Sequence, residues 1–360
     1  ILANPLFAWN TSIGQWSNLT DFPVYDLKPE RTNSFEVGMN MRFLKNFELD
    51  VTYYNAKTMN QTFNPELPVG EYARIYIQTG AVRNQGLELA LNYNNTWKDF
   101  TWNTGVTYSM NKNKILTLAD NAINPITREK FSISSLNMGG LGSTRFILKE
   151  GGSMGDIYSL MDLKRDANGA VYIDENNSVV TESLEANNYI KLGSVLPKGN
   201  LAWRNNFSWK NINVAFLVSA RLGGVVFSRT QAVLDNFGVS EASAAARDKG
   251  YVSVNGNDRV NPEGWYSVVA GGTAVPQYYI YSATNIRLQE ASIGYTIPRK
   301  WLGNVCDIKV SLIGRNLWMI YNKAPFDPES VASTDNFYQG IDYFMMPSLR
   351  NIGFNLSFKF

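Results

Sequence analysis

The chain of 360 residues balances 33 Lys and Arg against 31 Asp and Glu, and holds one Cys and no His. That inventory excludes an internal disulfide, His-dependent nucleophilic catalysis and His-ligated zinc, and a net charge of +2 gives no reason to expect nucleic acid as a partner. The longest clean apolar run, Val214–Val218, is five residues, far short of the ~18 that a membrane-crossing helix requires, but membrane-crossing strands alternate and escape that exclusion.

The chain opens on Ile1 without Met, a basic segment or a signal-like apolar stretch, which predicts processing or truncation upstream. From Ser34 onward the dominant pattern is a period of two. Phe35, Val37, Met39, Met41 and Phe43 share one face, while Glu36, Gly38, Asn40 and Arg42 share the other. The same alternation carries Phe47, Leu49, Val51 and Tyr53, then Leu87, Leu89, Leu91 and Tyr93, then Phe100, Trp102, Val106 and Tyr108. It resumes with Trp203, Phe207 and Trp209, followed by Ile212, Val214, Phe216, Val218 and Leu222. Ala291, Ile293, Tyr295 and Ile297 close a strand that starts near Ile286; Ile308, Val310 and Leu312 form the next. The last runs Ile352, Phe354, Leu356, Phe358, Phe360.

This makes nine strands, each near the ~9–11 residues that cross a tilted bilayer path. Their connections alternate in kind. Leu44–Asn46, Asn94–Asp99, Lys210–Asn211 and Pro298–Asp307 are short, whereas Tyr54–Gly86, Asn111–Asn200, Gly223–Asn285 and Trp318–Arg350 are long and polar. Long loops on one rim and short turns on the other are the mark of an outer-membrane barrel. A soluble β-sandwich, such as a non-catalytic glycan-binding module, also alternates. It would place its aromatics mid-strand, however, whereas Phe43, Phe47, Trp97, Phe100, Trp209 and Trp301 stand beside short turns as an interfacial girdle would. Glu36, Arg42, Glu48, Asp50, Glu88, Arg221, Lys309 and Arg315 suit a wet lumen.

Motifs for chemistry are thin. Lys164–Glu175 aligns with a calcium loop at Asp166, Asn168, Gly169 and Glu175, but Lys164 puts a cation where the first carboxylate belongs, so a hairpin turning at Asn168-Gly169 is the expectation. The Gly pairs match neither phosphate-binding spacing, and no catalytic or cofactor site is expected. Cys306, beside a short turn, reads as a small buried or lipid-adjacent side chain. On the long-loop side, Trp265, Tyr266, Tyr278, Tyr279, Tyr281, Phe337 and Tyr338 offer flat faces for a sugar or a partner protein; packing between loops is the competing use of each.

Several segments together resemble one family: Leu27-Lys28-Pro29-Glu30-Arg31-Thr32 before Ser34–Gly38, Asp50–Asn55, Gly80–Leu89, Arg221-Leu222-Gly223-Gly224, Ile286-Arg287-Leu288, Gly294–Pro298, Gly314-Arg315-Asn316-Leu317 and Met346–Arg350, with a final strand ending in Phe360. In this order they resemble the C-terminal barrel region of SusC/RagA-type TonB-dependent outer-membrane transporters of Bacteroidota. The resemblance implies an all-β transmembrane barrel of about 22 strands, of which residues 1–360 would supply the C-terminal part. About thirteen strands, the plug and the TonB-contacting segment would lie outside this chain. It also implies outer-membrane lipid as surroundings, extracellular long loops, a SusD-like surface lipoprotein as lid, TonB acting through the N-terminal part, and an oligosaccharide or peptide as ligand. A siderophore or cobalamin receptor barrel is the alternative within that class.

Overall fold

The computed structural model describes residues 7–10, 15–18, 21–22, 28–63, 74–75, 77–123, 129–272, 274–303, 305–334 and 338–359. Nine strands form one sheet: β1 (Arg31–Phe43), β2 (Phe47–Phe63), β3 (Ile77–Trp97), β4 (Phe100–Thr117), β5 (Gly199–Trp209), β6 (Ile212–Leu222), β7 (Asn285–Ile297), β8 (Asp307–Asn322) and β9 (Asn351–Lys359). Each lies antiparallel beside its neighbour in the chain, so the sheet is an uninterrupted meander from β1 to β9. Phe35, Val37, Met39, Trp203, Ile293 and Phe354 stand exposed on the apolar face of this sheet, where the core of a sandwich would bury them. Among the described residues β1 and β9 each have one neighbour, and the sheet is open. Phe360 lies outside the described residues.

The short connections all fall on one rim. Phe43 pairs with Phe47, Trp97 with Phe100 and Trp209 with Ile212. Lys45, Lys98 and Lys210 take positive φ there, at 62°, 52° and 52°, the left-handed twist that tight hairpins need. The fourth connection is a 3₁₀ turn, Arg299–Leu302. Next to these turns the aromatics form a continuous belt, with Phe47 and Tyr93 at 4.7 Å, Tyr93 and Trp102 at 5.2 Å, and Trp102 and Phe207 at 6.1 Å between ring centroids.

Two expectations need correction. First, Tyr54–Phe63, Ile77–Gly86 and Asn111–Thr117 are strand, not loop, so β2, β3 and β4 rise well past the apolar belt. Alternation fades there: Asn55, Lys57, Arg83 and Gln85 stand on the face that is apolar lower down. At the top of these strands Val82 and Ile115 join Leu118, Leu136 and Leu148 in a small buried core. Gly86 sits in this stretch under the Tyr54 ring, where a Cβ would lie 2.5 Å from the Tyr54 hydroxyl and 2.2 Å from the Met110 carbonyl oxygen. Only glycine permits that close cover.

Second, the long connections are not separate loops. Ser135–Leu141, Thr144–Lys149, Asp156–Ser159 and Ile190–Ser194 form a four-stranded sheet. Val225–Ser228 lies between Ile280–Ser282 and, in parallel, Ile341–Asp342. Three helices follow: α1 (Arg229–Asn236), α2 (Glu241–Lys249) and α3 (Pro262–Val269). Phe146, Ile157, Leu163, Phe227, Val260 and Val275, from three different connections' worth of chain with Ile341, share one hydrophobic core. The connections from β4 to β5, β6 to β7 and β8 to β9 therefore share a single packed body over one rim.

Candidate functional site

Below the upper extensions of β2, β3 and β4 the two faces of the wall differ in polarity. One rung on the concave side reads Thr52, Glu88, Ser109, Asn200, Arg221, Asn285 across six adjacent strands. The neighbouring rung on the other face reads Met39, Val51, Leu89, Tyr108, Leu201, Ala220. Since the side-chain period is two, a one-residue slip would exchange these faces. All of the polar rung but Asn285 lines a cleft of 590 Å³, together with Asp50 and Glu329. Lower on the same face Arg42 meets Glu48 at 3.3 Å and Arg315 meets Glu290 at 3.1 Å. These exposed pairs add little stability and give the surface mixed charge.

Glu329 belongs to the segment between β8 and β9, which Arg287 fastens to the wall. Arg287, 4% exposed, reaches Asp327 at 2.8 Å and Glu329 at 3.1 Å. Its Nε donates to Asn285 Oδ1 at 3.2 Å, and Asn285 Nδ2 in turn donates to Glu329 Oε1 at 3.2 Å. Ser348 donates its hydroxyl proton to Asp327 Oδ2. Burial raises the Asp327 carboxyl, but the hydrogen bonds from Arg287, Ser348 and the Glu329 amide outweigh it and hold the group below the usual carboxylate range. Asn316, at φ 53°, occupies a bulge between β7 and β8 and donates to the Leu349 carbonyl at 3.4 Å.

These residues were not singled out as functional from the sequence, yet a signal existed. The family-like segments around Arg287, Asn316 and Ser348 are distant in the chain and converge on this clamp.

The aromatics singled out on the long-loop side sit in or on the packed body. Trp265 meets Tyr278 edge-on at 5.1 Å, Tyr281 meets Phe326 at 5.4 Å and Tyr338 lies 6.4 Å from Phe146. Tyr279 is 2% exposed, and its hydroxyl donates to Asp235 Oδ2 at 3.0 Å. Burial, followed by the Asp235 charge, pushes the Tyr279 and Tyr266 phenols up and Tyr281 up to about 12. Tyr278 and Tyr338 keep exposed faces; Phe337 lies outside the described residues. The supposed calcium loop is a hairpin: Asp166 Oδ1 accepts from the Asn168 and Ala170 amides at 2.8 and 3.0 Å, and Gly169 turns at φ 81°. Lys164 lies over the Tyr172 ring, 5.0 Å from its centroid.

An apolar, aromatic-belted outer face, a polar inner face, tight turns on one rim and a packed body on the other define a section of a transmembrane β-barrel wall. The family described as TonB dependent receptor-like, beta-barrel matches residues 3–214, and the chain belongs to that family. TonB-dependent receptor P3 of Formosa agariphila is 26% identical over 95% of this chain and 35% of its own length. TonB-dependent receptor P26 of the same organism is 27% identical over 92% of this chain and 34% of its own length. The chain thus spans about a third of these relatives. Among solved structures, the RagAB peptide importer in its open-open state superposes with a TM-score of 0.69 at 16% identity, over 98% of this chain and 37% of that one. The RagAB peptide transporter gives 0.66 at 16% identity, over 92% and 35%. The fold is therefore that of a RagA-type barrel wall.

Proposed function

We propose that the chain forms the C-terminal barrel wall and outer vestibule of a TonB-dependent importer that takes up a nutrient oligomer, an oligosaccharide or a peptide, across the outer membrane. The observation that carries this reading is the opposition of the two faces, with a polar cleft on the concave side lying beneath a folded body of connections. In this reading the concave face lines the substrate path, the convex face meets lipid and the packed body is extracellular. Further strands outside the described sheet complete the ring, and TonB supplies energy through the receptor's N-terminal part, since an outer membrane has no ATP.

A surface lipoprotein of the SusD type is the proposed lid, docking on the exposed aromatics of the body. Co-purification from detergent-solubilised outer membranes tests this. Tyr278→Ala with Tyr338→Ala is chosen because both side chains are exposed, whereas deleting Trp265–Tyr281 would remove the core residues Val269 and Val275. Loss of a lipoprotein partner and of TonB-dependent uptake is expected; full retention of both would reject the docking role. Recovery of the unaltered protein in the soluble fraction without detergent would reject the membrane reading itself.

A further inference from the structure

The helical part of the loop body forms an open cavity that shares no lining residue with the polar cleft of the wall. It lies where the C-terminal ends of α1 and α2 meet the start of α3, and its volume is 680 Å³, within the range of about 300–1,000 Å³ typical of small-molecule sites. Asp235 stands in its wall and is 5% exposed. Its Oδ1 accepts from Gln231 Nε2 at 2.8 Å and its Oδ2 from the Tyr279 hydroxyl at 3.0 Å. Both donors are neutral, and no Lys or Arg forms an ion pair with this carboxylate among the described residues. A buried carboxylate is ordinarily met by a cation, and here the cavity is where one can arrive.

Arg247, on α2, stands on the same lining but is exposed, with Nη1 donating to the Gly238 carbonyl at 2.5 Å. A guanidinium has five N–H donors in a fixed fork, so an anchored Arg247 still presents a face suited to a carboxylate. Tyr266 supplies an aromatic side chain to the lining and Glu263 a second carboxylate. Asn261 is committed elsewhere, accepting the Glu263 amide at 2.8 Å as the cap of α3.

We propose that this cavity binds a short zwitterion of the free dipeptide class, its ammonium against Asp235 and its carboxylate on Arg247. The lining carries both signs: a buried anion, Asp235, without a cationic partner among the described residues, and an exposed, anchored cation, Arg247. An uncharged ligand would leave both ends unmet, and a simple amine would leave Arg247 unused. The site is separate from the polar cleft of the wall and does not rest on the transport reading.

The test is calorimetric titration of the detergent-extracted native protein with L-alanyl-L-alanine, its N-acetyl derivative and its C-terminal amide. Each blocked peptide is expected to bind ~10-fold or more weakly, the loss of one charge-assisted contact. Arg247→Gln should lower affinity for the free dipeptide to that of the amide while leaving the amide unchanged. Asp235→Asn removes the charge at nearly constant size, keeping one acceptor for Gln231 while its Nδ2 donates to the Tyr279 oxygen, and should do the same with respect to the N-acetyl derivative. If Asp235→Asn disturbs the body, the blocked peptides on unaltered protein still decide. Equal binding of blocked and free peptides, binding of methylamine as tightly as the dipeptide, or no saturable heat at millimolar dipeptide would each overturn the proposal.

Discussion

The indole N–H of Trp102 donates to Asn205 Oδ1 at 3.1 Å, beside a bond of equal length from Trp203 Nε1 to Thr104 Oγ1. Asn205 and Thr104 are paired across β4 and β5 on the apolar face of the wall, and Asn205 is 1% exposed. Two polar side chains on that face are thus roofed by tryptophans that supply the missing donors. Trp102→Phe should cost about 1–3 kcal/mol, the penalty of leaving a buried amide oxygen unmet. Adding Asn205→Leu should recover most of it, measured by urea unfolding in detergent. A double variant as unstable as the sum of the singles would reject this account.

Sidedness gives a second expectation. Val51 and Asp50 are adjacent on β2 and point to opposite faces. Val51→Arg should cost ~2–4 kcal/mol in a bilayer folding assay, and Asp50→Arg much less. Equal losses would contradict the assignment of the faces.

The Arg287 clamp should behave as a unit. Arg287→Gln leaves Asp327 buried without its cation and should destabilise by about 3–5 kcal/mol, with faster proteolysis of the segment between β8 and β9. Because the folded Asp327 carboxyl is held below its ordinary value, its contribution is complete above about pH 4 and is lost as pH falls through the depressed folded value. Protease resistance of that segment that is the same at pH 3 and pH 6 would contradict this.

The tyrosines around Asp235 predict the opposite edge. The folded Tyr281 phenol, raised by burial and then by Asp235 to about 12, keeps its proton where an unfolded chain, titrating near 10, has released it. Stability is therefore unaffected below pH ~10 and declines as pH rises toward the folded value. Tyrosinate absorbance should show a fraction of phenols that ionise only together with unfolding of the loop body. Ionisation of all tyrosines near pH ~10 in folded protein would exclude that environment.

The wall was legible because lipid enforces alternation: Phe35 to Phe43 and Ile212 to Leu222 could be read off directly. The upper halves of β2 and β3 were not, since Asn55, Lys57, Arg83 and Gln85 put polar groups on the face that is apolar lower down. Helix α2 did leave a local signature in Ser240 as cap and Gly250 as left-handed stop, outside the period-two pattern of the strands. The Arg287 clamp and the Asp235 cavity join residues from separate segments, and only folding brings them together. Even so, the family-like segments around Arg287, Asn316 and Ser348 pointed to the clamp by their clustering.

The shared core above the rim has a consequence for how such a protein can change. Phe146, Phe227, Val260 and Ile341 fill one another's space, so a connection transplanted alone into another barrel would arrive with half an interior and expose it to water. Variation in what the outer surface recognises is therefore confined to hairpin tips and outward-facing side chains, or else requires exchanging the whole body at once.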